Sequence, residues 1–172
     1  MHRILVLFLL MLSISLPAFS ITETTPAAVV AKNVPDLQSE SCKFVQERNF
    51  GTNVVKSSGD FKFIKGKGVF FMTTYPVKST SSYTSANNKY INDVIMAVSK
   101  KNFSKIDSEF NMYLNKPSNS QNWNILMTAK DEKIKNHIDS VKIYGDNTRI
   151  TRITVNQVNP AVKTDIKFQF GE

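Results

Sequence analysis

Short strand-like segments along this chain differ in polarity from one to the next, and these differences limit the folds that can bury their apolar side chains. Residues 162–170 alternate apolar and polar side chains, which is typical of a strand with one buried face. By contrast, residues 69–72 and 125–127 place apolar side chains on both faces. A sheet with such strands needs cover on both sides, or one side stays partly uncovered. An uncovered apolar surface is one way to form a cavity for an apolar ligand.

Similar alternation, with turn residues between the segments, predicts further strands along most of the chain. The predicted segments are 42–47, 61–63, 69–75, 77–83, 110–114, 123–127, 138–144, 148–158 and 162–170. The fold is therefore expected to be mainly β, with neighbouring strands joined as antiparallel hairpins. So many strands favour a strongly curved antiparallel sheet or incomplete β-barrel, with short helices against one side.

Three short helices are predicted beside these strands. Two prolines, Pro26 and Pro35, allow only a short helix between them. Apolar residues at helical spacing predict a second helix in the middle of the chain: Tyr90, Ile91, Val94, Ile95 and Val98. A third is expected to begin with Ser104 as its N-cap and to turn Ile106 and Phe110 inward.

The first twenty residues have the composition of a secretory signal peptide. A basic start at Arg3 precedes the apolar run 4–16 and the exit 17–20, and the run is short for a membrane span. Cleavage is expected between Ser20 and Ile21, with an uncleaved anchor as the alternative. Residues 21–40 are then an N-terminal linker or short helix, and 41–172 a single domain in the periplasm, released as a monomer without a further membrane span.

The single cysteine excludes an intramolecular disulfide and a thiolate metal cluster. An exported chain without disulfides must bury a real core, and Cys42 is expected to be a buried strand thiol. The net charge of +8 is spread along the chain without a long basic block, so no nucleic-acid partner is indicated. A basic surface can instead approach anionic lipid head groups.

Motifs for catalysis, metal binding and cofactor binding are absent from the sequence. His2 leaves with the signal peptide, and His137 lacks a nucleophile arranged around it. We therefore expect no catalytic residues, no metal site, no cofactor and no enzyme activity.

Phenylalanine and methionine form the other candidate set of functional residues. Such side chains line adaptable apolar pockets well, although the same residues can simply be core. The residues predicted to line a lipid-binding cavity are Phe61, Phe63, Val69, Phe71, Met96, Met112, Trp123, Ile125 and Met127.

The order of several motifs resembles the LolA-like family of outer-membrane lipoprotein carriers, specifically a shorter LolA-related branch. The similar segments are 42–48, 58–63, 68–76, 103–110, 123–130 and 143–153, so the likeness covers about residues 40–170. The resemblance implies an incomplete barrel with a helical lid that holds the acyl chains of a lipid or lipoprotein. It also implies an inner-membrane donor and an outer-membrane acceptor protein as partners.

Two departures from the family pattern bear on the predicted site. Phe71 stands where the family usually has tryptophan, and phenylalanine is also a flat apolar side chain. Lys65 stands where the better-known carriers have an arginine that is thought to hold the lid, and lysine lacks the planar fork of arginine. Two other functions stay open at this point: a periplasmic accessory or interaction domain, and an enzyme built on a similar sheet.

Overall fold

In the part of the chain that the structure describes, one open sheet of nine antiparallel strands dominates the fold, with three short α-helices beside it. The computed structural model describes residues 23–65, 67–82 and 89–171. The strands are β1 Glu40–Phe50, β2 Asn53–Ile64, β3 Gly68–Tyr75, β4 Ser79–Ser82, β5 Phe110–Asn115, β6 Trp123–Ala129, β7 Ile138–Gly145, β8 Ile150–Gln157 and β9 Val162–Gln169. The helices are α1 Ala27–Asn33, α2 Lys89–Lys100 and α3 Glu132–Lys135, with a 3₁₀ turn at Phe103–Ile106.

The strands are ordered β4-β3-β2-β1-β9-β8-β7-β6-β5, so the first long strand pairs with both the second and the last. Every pairing is antiparallel. Strands β4 and β5 are the two edges, and within the described ranges they do not close on each other. The predicted fold class, a mainly β and incomplete barrel-like sheet with short helices, is confirmed.

Aromatic contacts across the inner face show how strongly the sheet curves. In a flat sheet, strands two apart are separated by about 10 Å, because neighbours are about 4.8 Å apart. Yet the rings of Phe61 on β2 and Phe168 on β9 lie only 4.1 Å apart between centroids. Phe44 on β1 and Phe71 on β3, also two strands apart, are separated by 5.1 Å. Side chains converge in this way only on a concave face.

The concave face carries the core of the protein. The strand register places a continuous set of buried apolar side chains on this face. They include Phe44, Phe61, Phe63, Val69, Phe71, Met112, Trp123, Ile125, Met127, Val141, Ile143, Ile153, Val155, Ile166 and Phe168. Helices α1 and α2 and the 3₁₀ turn add their apolar residues to the same cluster. One face of the sheet is therefore covered by helices, as the sequence predicts.

Helix α2 is the cover that positions the candidate site. Its predicted apolar stripe is confirmed, since Ile91, Val94, Ile95 and Val98 are buried. The helix approaches the start of β3 closely: a Cβ added at Gly68 would lie 2.8 Å from the sulfur of Met96. This contact sets where α2 crosses the concave face.

Helix α1 lies between the two prolines, as predicted, and its Val30 is buried in the same core. Just before it, the backbone N–H of Thr25 donates to the carbonyl of Met112, 2.6 Å away. The Thr25 hydroxyl accepts from the N–H of Leu114 at 3.0 Å. These two hydrogen bonds therefore pair backbone groups at the edge strand β5 that have no neighbouring strand on that side.

Two local expectations need correction, and one helix is not predicted from the sequence. Ser104 is not an N-cap: its hydroxyl donates to the Asn102 side chain inside a 3₁₀ turn, and the buried Phe110 opens β5 instead of ending a helix. Cys42 is in a strand but only half-buried. Helix α3 was not expected, although the side chain of Asp131 caps it by accepting from the N–H of Lys133 at 2.7 Å.

Several predicted features lie outside the described residues. They are the signal peptide and its cleavage site, and Tyr83 at the end of the predicted fourth strand. Among the helices of the described chain, none is long and apolar enough to cross a membrane.

Candidate functional site

A cavity of about 290 Å³ lies between the concave face and the N-terminal half of α2. Strands β1, β2, β3, β8 and β9 supply its floor, and one face of α2 supplies its roof. The apolar lining consists of Phe44, Phe71, Ile91, Ile95, Ile153, Val155 and Ile166. We call this space the inner cavity.

Polar side chains border the inner cavity, at the end of the sheet where β1 and β8 finish. These residues are Gln46, Arg48, Ser57, Thr73, Gln157 and Thr164. The strand register explains the grouping, because Gln46 pairs with both Ser57 and Ile166 and therefore shares their face. Arg48 follows on the same face of β1 and is exposed, with its guanidinium carbon 5.1 Å from the ring centroid of Phe50.

Seven apolar and six polar side chains line this space, and the polar side chains supply most of its accessible surface. An apolar chain inside loses contact with water, which stabilises it by about 0.8 kcal/mol per CH₂ group. A charged head group would remain near Arg48, whose planar guanidinium can donate two parallel hydrogen bonds to a carboxylate or phosphate. The chemistry of the inner cavity therefore suits an amphiphile.

The structure brings the nine predicted cavity residues together, but mostly in the packed core. Eight lie on the concave face and are buried, and Met96 is half-buried on α2. Of these nine, Phe71 lines the inner cavity. Phe61 and Phe71 also border a groove on the outer side, and Trp123 borders a pocket of about 300 Å³ near the β5–β6 connection.

Sequence reasoning missed the polar border of the inner cavity. Gln46, Arg48 and Gln157 form no motif, and Arg48 and Gln157 are more than a hundred residues apart. Alternation along each strand could have placed each residue on a face. Only the strand order β1-β9-β8 places those faces side by side.

Lys65 links the β2–β3 turn to the segment that follows α1. Its ammonium lies 3.1 Å from the carboxylate of Asp36, and its backbone N–H donates to the hydroxyl of Ser39 at 2.9 Å. Both charged side chains are substantially exposed, so the pair adds at most about 1 kcal/mol. The contact joins Lys65 to the connection between α1 and β1.

A groove of about 480 Å³ lies on the opposite, outer face, across β1 to β4. Phe70 and the exposed Met72 project there, beside the Lys43–Asp60 ion pair and Lys62. The two-sided apolar pattern of residues 69–72 therefore has a structural counterpart, because this face stays partly uncovered. The groove is larger than the inner cavity and somewhat more open to solvent, and its accessible lining is mostly apolar.

The single thiol is poorly suited to nucleophilic chemistry. Partial burial, followed by the nearby Glu40 carboxylate, raises the pKa of Cys42 to about 11. The thiol is therefore protonated at neutral pH, and the thiolate is the nucleophilic form.

Titratable groups elsewhere form structural ion pairs. Arg149 contacts Glu40 at 3.2 Å and lies over the ring of Phe170 at 4.3 Å, which ties the last residues to the start of β1. Within the described ranges, no three histidine, cysteine, aspartate or glutamate side chains are grouped to hold a metal ion. His137 is exposed just before β7.

Comparison with known proteins gives structural likenesses only. No protein-family profile matches the chain, and no curated protein matches it. A LolA superfamily protein from Nitrosomonas europaea has a similar structure, with a TM-score of 0.36 and 7% identity over 84% of this chain and 90% of that one. A DUF1329 family protein from Desulfovibrio piger has a TM-score of 0.38 and 13% identity, covering 83% and 88%.

A putative outer membrane lipoprotein-sorting protein domain from Vibrio parahaemolyticus is also similar, with a TM-score of 0.36 and 6% identity over 84% and 89% of the two chains. The predicted resemblance to LolA-like proteins is confirmed among solved structures. At these scores and identities the likeness carries no argument about function, so function is argued from the cavity.

Proposed function

We propose that this protein binds the hydrocarbon chain of an amphiphile in the inner cavity and carries it through the periplasm towards the outer membrane. The observation that carries the proposal is the lining of that cavity. Seven apolar side chains lie on the sheet side and the α2 side of the cavity, and Arg48 stands among the six polar residues that supply most of its accessible surface. A chain would lie under α2 with its head group at Arg48.

The size of the inner cavity limits the cargo. Its volume of about 290 Å³ is just below the range of about 300–1,000 Å³ for ligand pockets. One short chain suits this space, whereas a lipid or lipoprotein with several long chains requires α2 to move off the sheet. We therefore favour a single-chain amphiphile with an anionic head group.

The partners and the monomeric state are proposed from what transport between two membranes requires, and not from contacts in the structure. A carrier needs a donor at the inner membrane and an acceptor at the outer membrane, and it works as a monomer between them. Carriage is needed because an acyl chain leaves a membrane at a cost of about 0.8 kcal/mol per CH₂ unless an apolar cavity receives it.

A fluorescent fatty acid tests the proposal directly. The exported protein should bind it, and Thr164→Phe should abolish binding by filling the inner cavity from β9. Thr128→Phe is the matched control, because Thr128 is also half-buried but lies on the outer face of β6. Arg48→Gln should weaken binding of the fatty acid by about tenfold, which corresponds to one lost charge-assisted hydrogen bond.

The same titration distinguishes the two faces of the sheet. Met72→Ser changes the outer groove and should leave affinity unchanged. If Met72→Ser weakens binding while Thr164→Phe does not, the chain binds in the outer groove and the proposal for the inner cavity is wrong. Thermal melts of each variant establish that the measured protein is folded.

A further inference from the structure

Exposed apolar side chains are concentrated at one end of the sheet. Among the described residues, eight large hydrophobic side chains are exposed, and six of them belong to three neighbouring connections. These six are Phe50, Val54 and Val55 in the β1–β2 hairpin, Tyr75 and Val77 after β3, and Val158 after β8. Scattered single hydrophobic residues are ordinary, but such a concentration marks an interaction surface.

Antiparallel pairing places the three connections at the same end of the sheet. Strands β1, β3 and β8 all finish there, and β2 and β9 begin there. The polar border of the inner cavity lies at this end too, since Arg48 and Gln157 belong to the last residues of β1 and β8. We call residues 47–57, 75–78 and 157–163 the mouth rim.

The β1–β2 hairpin projects farthest from the sheet. Strand β9 pairs with β1 only as far as Asn49, and β3 pairs with β2 only from Ser58 onward. The tip between these limits presents Phe50 and Val55 on one face and Val54 on the other, because successive side chains alternate. Because apolar groups lie on both faces of this projecting tip, insertion into an apolar medium would remove both faces from water.

The charge of the mouth rim complements an anionic surface. It contains four basic residues, Arg48, Lys56, Lys78 and Lys163, against the single acidic residue Glu47. All four basic residues are exposed, and Lys56 is paired with Glu47 at 3.0 Å. Basic side chains around exposed apolar groups are the pattern of peripheral attachment to anionic lipids.

We propose that the mouth rim docks the protein onto an anionic lipid bilayer, with the β1–β2 hairpin inserted among the head groups. Docking in this orientation places the opening of the inner cavity against the membrane. Transfer of a chain at that position rests on the proposed function, whereas attachment to the bilayer does not.

Vesicle sedimentation tests the docking. The exported protein should sediment with vesicles of equal parts phosphatidylglycerol and phosphatidylethanolamine, and only weakly with phosphatidylcholine vesicles. Binding should fall as salt is raised, because the attraction to the surface is screened. Phe50→Ser combined with Val54→Ser should lower binding by at least about tenfold, since the inserted apolar surface is lost.

Matched controls come from α1 and α2. Val29→Ser removes an apolar side chain that is 44% exposed, against 50% for Val54, and lies outside the mouth rim. It should leave vesicle binding unchanged. Lys78→Gln with Lys163→Gln should reduce binding to the anionic vesicles, whereas Lys32→Gln with Lys100→Gln, at the same net charge, should reduce it much less.

Two results would overturn the docking proposal. One is wild-type protein that stays in solution with the anionic vesicles. The other is a hairpin variant that sediments like the wild type. If light scattering shows a dimer that the hairpin variant loses while vesicles bind nothing, the occupant of the mouth rim is a second copy. Fatty-acid titration without vesicles reports the inner cavity separately, so failure of docking and failure of acyl binding are distinguishable.

Discussion

Among the glycines that the structure describes, Gly59 and Gly145 have the closest neighbours. A Cβ at Gly59 would lie 2.0 Å from the carbonyl oxygen of Met72, where the register between β2 and β3 shifts. At Gly145 it would lie 2.3 Å from a ring carbon of Trp123. Extra atoms at such positions force the surrounding structure to move.

We expect Gly59→Ala and Gly145→Ala each to lower the free energy of unfolding by about 1–3 kcal/mol, the usual cost of overpacking. Gly171→Ala is the control, because a Cβ there meets nothing within 4 Å and the stability should change by less than about 0.5 kcal/mol. Urea denaturation of the three variants gives the comparison. Unchanged stability of Gly59→Ala would mean that β3 does not pass β2 this closely.

The concave face is tightly packed around some strands and helices and leaves open volume beside others. Strand β6 lies in the packed part, where Met127 is fully buried. Helix α2 lies over the open part, where Ile95 contributes to the roof of the inner cavity. Truncation on the two elements should therefore have different consequences.

Met127→Ala should lower the free energy of unfolding by about 2–5 kcal/mol and leave the affinity of the folded protein for a fatty-acid probe unchanged. Ile95→Ala should shift the preferred probe to a longer chain, because the removed atoms enlarge the inner cavity. Urea denaturation and titration with probes of two chain lengths check both statements. An altered chain-length preference in Met127→Ala, with none in Ile95→Ala, would place the ligand under β6 instead.

The compartment in which the whole protein is found is predicted from its N-terminal segment. The basic, apolar start of the chain predicts export and cleavage before Ile21. N-terminal sequencing should then find Ile21, in the soluble periplasmic fraction. Met1 recovered from a membrane pellet would contradict this prediction and support an uncleaved anchor.

Local patterns in the sequence account for most of the elements. Helical spacing from Ile91 to Val98 is enough to predict α2, because burial of one stripe on a helix needs no knowledge of its partner. Alternation likewise predicts β9 and the side of it that is buried. Helix α3 could have been predicted from Asp131, whose capping role is also local.

Assignment of the candidate site depends on which strands become neighbours. Sequence patterns alone predict a curved, mainly β fold with helices on one face, and a set of aromatic and methionine side chains for that face. The folded arrangement shows that most of this set packs as core, and that the open volume lies between α2 and strands β1, β2, β3, β8 and β9. Sheet order joins strands such as β1 and β9 that are more than a hundred residues apart. Because that order results from burial summed over the whole chain, no local pattern specifies it.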